Sequence, residues 1–246
     1  MPVRRWLDIG LLLLGIVAAW QALHELAPIA LSSPLETAAK LAQMSQSARF
    51  HGHVAETASA FAFALGISIA GGVLLGVPLG LSRLGTQVAD PILVSIYSLP
   101  KVTLYPVILL IFGLGMPAKV AFGALHGIIP VTLFAMNAVR NVAPVHLKTA
   151  RILRLGYAES FRAVIVPAAL PEIVSGVRIG FSLTLLGVLI GEMFASQRGL
   201  GFLLMNAIGL HDVETMMAVI LLLAVFAAVG NALLLWVDRR LHRRAG

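Results

Sequence analysis

The chain has 246 residues, of which 59% are hydrophobic and 12% charged, and its mean hydropathy is +0.94. Soluble domains carry about 25% charged residues, so an interior needing so few is one solvated by lipid, and the chain reads as an all-α integral membrane protein. The net charge of +7 does not point to nucleic acid, because the basic residues sit in short segments between apolar runs. The absence of cysteine excludes a disulfide framework and a thiolate metal site.

Taken in order, the chain first offers a span over 7–26, preceded by Arg4 and Arg5. The run continues into Trp20-Gln21 and His24-Glu25 without a small-residue cleavage pattern, so a retained span is expected rather than a cleaved signal peptide. Ser33-Pro34-Leu35-Glu36 predicts a helix start, with Ser33 as N-cap, Pro34 in the first helical position and Glu36 closing a capping box. The helix it opens, over 34–46, carries Leu35, Ala38, Ala39 and Ala42 on one face and is expected to lie on the membrane surface.

The 26 residues of 57–82 lack any charge and predict the second span. Within it Gly72, Gly76 and Gly80 line one helix face, the pattern that lets backbones pack closely in lipid. These glycines do not belong to a phosphate-cradling loop, since no G-x-x-x-x-G-K-[ST] pattern occurs in the chain. The third span, 91–114, contains Pro100 and Pro106 and places Lys101 about 15 Å along the helix. An ionisable residue at that depth is a candidate pathway residue; the alternatives are a lysine snorkelling to the interface or a span that begins after Pro100. A turn at 113–117 leads to the fourth span, 120–139, where Gly123 and Gly127 form a second close-packing pair. His126 lies between them without a Cys or acidic companion nearby and is expected to be a hydrogen-bonded interior residue, not a metal ligand.

A polar island over 140–171 follows, holding Arg140, Lys148, Arg151, Arg154 and Arg162 against the single acid Glu159. The fifth span, 172–195, has Arg178 near its start and Glu192 near its far end, the second pathway candidate. Beyond it, 196–214 contains Gly199-Leu200-Gly201 and a short apolar stretch suited to capping the exit of a pathway. The sixth span, 215–237, ends in the basic run after Asp238. With six spans, both termini, Arg83 and the island share a side that holds twelve basic residues, against four (Lys40, Arg49, Lys119 and Arg198) on the other. The positive-inside rule makes the island cytoplasmic.

On residues alone, the island is a solvated connector, a contact for anionic lipid or a docking helix for a partner. Its helix-forming part is 147–162, with apolar Ile152, Leu153, Leu155 and Phe161 among the basic residues. Thr149-Ala150, then Gly156, then Val164-Ile165-Val166-Pro167-Ala168-Ala169-Leu170-Pro171 resembles the EAA loop of ABC importer permeases, roughly E-A-A-x₃-G-x₉-I-x-L-P. Tyr97-Ser98-Leu99-Pro100 leading to Ile111–Gly115, and Gly191-Glu192-Met193 leading to Gly199-Leu200-Gly201, resemble the nitrate/sulfonate/taurine branch. The resemblance covers most of the chain after about residue 50. When the two loops are aligned on Pro167, Lys148 stands in place of the motif's Glu, Thr149 in place of its first Ala, and Arg154 in place of its Gly.

The resemblance implies a type I importer permease of about six spans in the bacterial inner membrane, one domain over 1–246, with no catalytic residue and no cofactor of its own. It implies a cytoplasmic ABC ATPase dimer that uses the ATP, an extracytoplasmic solute-binding protein, and a second permease subunit, with lipid around the spans. It assigns ATPase coupling to Thr149, Ala150, Leu153, Arg154, Leu155, Gly156, Tyr157, Phe161 and Pro167. The expected cargo is a small organic or inorganic anion. The competing reading is a secondary transporter or channel, which calls for ionisable residues inside several spans, where Lys101 alone is a clear candidate. A membrane-embedded enzyme would need clustered His or acidic residues at one depth, and the seven histidines are scattered.

Overall fold

The computed structural model describes residues 2–245, the side chains of 2–6, 195 and 242–245 excepted; Arg4, Arg5, Arg243 and Arg244 of the orientation count fall outside the described side chains. The described residues are helical, with no strand among them: α1 (Pro2–Leu26), α2 (Pro34–Met44), α3 (Ala48–Leu81), α4 (Arg83–Ser98), α5 (Tyr105–Phe112), α6 (Met116–Arg140), α7 (Pro144–Ile152), α8 (Tyr157–Ser160), α9 (Val166–Ala195), α10 (Leu200–Gly209) and α11 (Val213–Ala245). Five helices are long and apolar enough to cross a membrane, and a sixth crossing is available if the bent pair at 83–112 counts as one.

α3, α6 and α9 form the centre. Hydrophobicity does not drive helices together inside lipid, so the centre is built from small residues and hydrogen bonds. A Cβ added at Gly76 would fall 2.5 Å from the Thr132 carbonyl oxygen, and one at Gly72 would fall 2.5 Å from Val131 Cβ. Gly80 meets Met136 and Val139 in the same way, so the glycine face of α3 lies against the backbone of α6. Gly123 and Gly127 of α6 meet Val188 and Thr184 of α9 together with Ala64 and Ser68 of α3. α9 supplies its own close approaches at Gly176, Gly180 and Gly187, against Phe134, Val131 and His126. At the junction of all three helices the Ser68 hydroxyl lies 2.8 Å from the Ala64 carbonyl, 3.3 Å from that of Ala124 and 3.2 Å from the Thr184 hydroxyl.

Around this centre, Phe61 packs edge-on against Phe181 and Phe226, with ring centroids 5.0 and 5.7 Å away, and so holds α11 to α3 and α9. The predicted capping box opens α2: Glu36 N–H donates to Ser33 Oγ at 3.2 Å and Ser33 N–H to Glu36 Oε2 at 2.8 Å. Leu41 and Met44 of α2 pack toward Phe50, Leu200 and Val219, while the Leu35, Ala38, Ala39 and Ala42 face is turned outward. α1 leaves its apolar surface uncovered; its links are Trp20 Nε1–H to the Ser32 carbonyl at 3.0 Å and His24 Nδ1 at 2.6 Å from the Leu31 carbonyl.

Among the boundaries that differ from the sequence-based expectation, three bear on the sites. The third span is broken: α4 and the segment 101–112 meet at 87°. Pro100 stands in the break, where its missing N–H needs no partner, and Pro106 falls in the first turn of α5, where proline is tolerated. α3 begins at Ala48 rather than 57, because Phe50 and His53 are buried by the outer segment and hold a polar helical turn beyond the apolar run. The helix expected over 147–162 stops at Ile152 and restarts at Tyr157.

Candidate functional site

That stop in the island has a specific geometry. Pro144 opens α7 at its first turn, and the helix ends in a Schellman motif: Leu155 N–H donates to the Ala150 carbonyl and Arg154 N–H to the Arg151 carbonyl, both at 3.0 Å. The motif requires a left-handed residue between them, and Arg154 takes that conformation with φ +53°. Gly156 has φ −66° and is extended. Arg154 therefore performs the turn for which the EAA pattern uses glycine, which supports the register fixed on Pro167. α8 then restarts the chain, with Glu159 Oε2 accepting the Gly156 N–H at 3.3 Å. The helix widens to a π turn over Phe161–Ile165 before α9 begins. Pro167 has no N–H for the carbonyl four residues back, and the wider turn moves that carbonyl away from its ring.

Of the residues expected to contact the ATPase, Thr149, Leu153, Arg154, Gly156, Tyr157 and Pro167 lie on the surface. Ala150 is buried under the turn, and Leu155 and Phe161 are half-buried, lining a cavity with Leu81 at the end of α3. Phe161 thus packs the loop onto the body of the protein. The free edge carries large apolar groups: Ile152 is 81% exposed, Leu153 64% and Tyr157 100%. Val145 joins them; it and Ile152 are seven apart on one helical face, a spacing legible in the sequence.

At the opposite end a second polar group is assembled from four helices. Lys119 of α6 is 1% exposed and donates from Nζ to Glu56 Oε1 and to the Arg198 carbonyl, both at 2.9 Å. Its Nζ also lies 3.9 Å from Glu192 Oε1. Glu192 is 0% exposed, accepts Thr57 Oγ1–H at 2.8 Å and Gly201 N–H at 2.9 Å, and stands at the N-terminus of α10, where the helix dipole favours an anion. Thr57 Oγ1 in turn accepts Leu200 N–H at 2.7 Å, and His53 Nδ1 accepts Gly199 N–H at 3.1 Å, which leaves that ring nitrogen unprotonated. Gly199 has φ +119°, and a Cβ there would strike the Glu192 carboxylate. Glu192, expected at the pathway, is enclosed inside a single chain as the anchor of the outer segment. His53, Glu56, Thr57 and Lys119 were not legible as its partners: Lys119 reads only as an outer-side charge, and Glu56 only as the residue before an apolar run.

Lys101 is 9% exposed and occupies the break after α4, its Nζ donating to the Tyr97 carbonyl at 2.9 Å and lying 4.9 Å from the Tyr97 ring centroid. No carboxylate pairs with it among the described residues. The neighbouring Tyr105 hydroxyl donates to the Gly191 carbonyl at 2.6 Å, which ties the broken helix to α9 beside Glu192. His126 is interior, with Nδ1 2.9 Å from the Phe122 carbonyl, so this nitrogen carries the proton.

The arrangement is a helical membrane body with a basic, apolar-edged loop at one end and a buried polar cluster at the other. Residues 68–245 match the family of the binding-protein-dependent transport system inner membrane component, and the chain belongs to it. It is 27% identical to the putative aliphatic sulfonates transport permease protein SsuC of Bacillus subtilis (strain 168), over 96% of this chain and 87% of that one. It is 28% identical to the taurine transport system permease protein TauC of Escherichia coli (strain K12), over 96% of this chain and 88% of that one. The crystal structure of an amino acid ABC transporter with histidines shares the fold, at a TM-score of 0.63 and 21% identity over 81% of this chain and 97% of that one. The chain is an ABC importer permease of the bacterial inner membrane, not an enzyme, and acts with a separate ATPase and a solute-binding protein.

Proposed function

We propose that this permease carries a small anion of the sulfonate, taurine or nitrate class into the cytoplasm, and that its 144–157 segment is the contact through which an ABC ATPase dimer moves it. The observation that carries the coupling reading is the exposed edge of Ile152, Leu153 and Tyr157 on an otherwise basic loop. Burying one such side chain stabilises a contact by about 1.5–3 kcal/mol, so the edge is worth covering and a cytoplasmic partner is the means. ATP binding would close the ATPase pair and draw two loops together. The spans of a permease dimer would then switch from inward- to outward-facing as rigid bodies. The uncovered apolar faces of α1, α4 and α5 leave surface both for the second subunit and for lipid.

The anion reading rests on the relatives and on Lys101, a cation without a carboxylate partner among the described residues at a helix break, where irregular backbone is tolerated if it lines a cavity. Purification from the native membrane in mild detergent tests the assembly: a P-loop ATPase and a binding protein accompany the chain, and the binding protein is stabilised thermally by a sulfonate or nitrate. Uptake that proceeds without ATP overturns the reading in favour of a secondary transporter.

A further inference from the structure

Where α3 and α6 end and α4 begins, on the cytoplasmic side, a cavity of about 790 Å³ opens between them and the 144–165 segment. Arg83 of α4, Arg140 of α6 and Arg151 of α7 all line it, with Gln87 beside them, and among the described residues no carboxylate does. None of the three arginines forms an ion pair among the described residues. Three arginines lining one space, all of them exposed, give it a positive potential that favours an anion, and a planar guanidinium is suited to gripping phosphate through paired N–H donors.

The position of the cavity narrows the anion. Leu81 lines it at the end of the α3 span, and Leu84 and Val88 continue an exposed apolar surface along α4. An occupant that satisfies both features carries a phosphate and an apolar tail. An acidic protein surface in the cytoplasm would meet the arginines but not cover this span-end apolar surface. We propose that the cavity binds the phosphate of an anionic phospholipid of the inner leaflet, with its acyl chains along Leu81, Leu84 and Val88. The lipid then joins Arg151 of the coupling segment to the ends of α3, α4 and α6, so the position of α7 depends on membrane composition. This site shares Arg151 and Tyr157 with the segment assigned to the ATPase contact and rests on the cytoplasmic placement of the loop; its first test arm uses no ATPase, so its failure and that of the coupling reading are distinguishable.

The full chain is reconstituted in phosphatidylcholine nanodiscs with a photoactivatable phosphatidylglycerol, and the crosslinked peptides are mapped. Crosslinks are expected on the peptides carrying 81–88; their absence there, with crosslinks elsewhere, overturns the proposal. In native mass spectrometry the triple variant Arg83→Gln/Arg140→Gln/Arg151→Gln retains phosphatidylglycerol more weakly by on the order of a hundredfold, from three surface charges each near 1 kcal/mol. Arg239→Gln/Arg240→Gln retains it as wild type does. Millimolar inorganic phosphate leaves the lipid in place; phosphate binding with no lipid retention shows a free-anion site and overturns the lipid assignment. Equal lipid retention by the triple variant, with loss of ATPase co-purification, assigns the arginines to an acidic protein surface and also overturns it. The crosslink map needs only the wild-type chain, so a triple variant that fails to fold does not remove the test.

Discussion

Lys119 and Glu192 stand 3.9 Å apart with side chains 1% and 0% exposed, an opposite-charge pair buried at the outer end of the bundle and bound into Glu56, Thr57 and the 198–201 backbone. Breaking a buried pair by removing one partner leaves a charge without compensation and costs about 3–5 kcal/mol. Lys119→Met is therefore expected to lower the thermal midpoint in detergent strongly. Glu192→Gln keeps the shape and can still accept the Gly201 N–H, so it lowers the midpoint less. Equal midpoints for wild type and Lys119→Met contradict this description of the cluster.

The turn at Arg154 gives a second prediction, of opposite sign. A non-glycine residue in the left-handed region costs about 1–2 kcal/mol, while glycine loses about 0.5–1 kcal/mol more chain entropy on folding. Arg154→Gly is expected to stabilise the loop by up to about 1 kcal/mol, and Arg154→Val to destabilise it by a similar amount. Hydrogen exchange of the Leu155 and Arg154 amides, which make the two capping bonds, reads the change.

Glycine substitutions separate packing from composition. Gly76→Val places side-chain carbon against the Thr132 carbonyl, where backbone must move, and overpacking of this kind costs about 1–3 kcal/mol. A Cβ at Gly15 meets nothing within 4 Å, so Gly15→Val is expected to leave stability and expression unchanged. Comparing the two by thermal unfolding checks the α3–α6 contact.

The start of α11 carries a pH dependence. Burial pushes the Asp212 carboxyl up, but the hydrogen bonds from Thr215 Oγ1–H and N–H and the charge of Lys40 outweigh it, and its pKa lies below the usual carboxylate range. The lowered value means that its stabilisation is complete above the unfolded pKa and is lost as pH falls through the folded one. Amide exchange at Thr215 should accelerate, relative to intrinsic rates, on acidification through the carboxylate range. Asp212→Asn should flatten that dependence, and Asp212→Ala should cost about 1 kcal/mol at neutral pH.

Uptake measured over a panel of charged and neutral solutes tests Lys101. Lys101→Ala is expected to depress transport of sulfonates and nitrate while the protein level in the membrane is kept. Unchanged anion transport removes the residue from the pathway.

Much of this architecture was legible because lipid simplifies the problem: a long uncharged run must be helical, and a G-x-x-x-G face must meet another backbone. The glycine face of α3 was readable for those reasons, and the Ser33 cap because a Ser-Pro-Leu-Glu start satisfies its own backbone donors. The 87° break was not, since proline announces a disturbance but not its angle, and two short helices read like one long one. The stop at Arg154 was hidden because the residue that usually marks a left-handed cap is absent, and only the register on Pro167 pointed to it. The outer cluster was hidden for another reason. Glu56, Lys119 and Glu192 are far apart in the chain, and single charges near span ends look like interfacial residues until the fold brings them together.

The coupling proposed for the island rests on its apolar edge being the grip of a separate ATPase. The most direct measurement is co-purification of that ATPase, with coupled uptake, for Leu153→Asp against wild type. Replacing one buried contact by a charge should weaken association by about tenfold or more and abolish coupled uptake, with the variant still present in the membrane. Wild-type levels of both ATPase recovery and uptake would contradict the central claim.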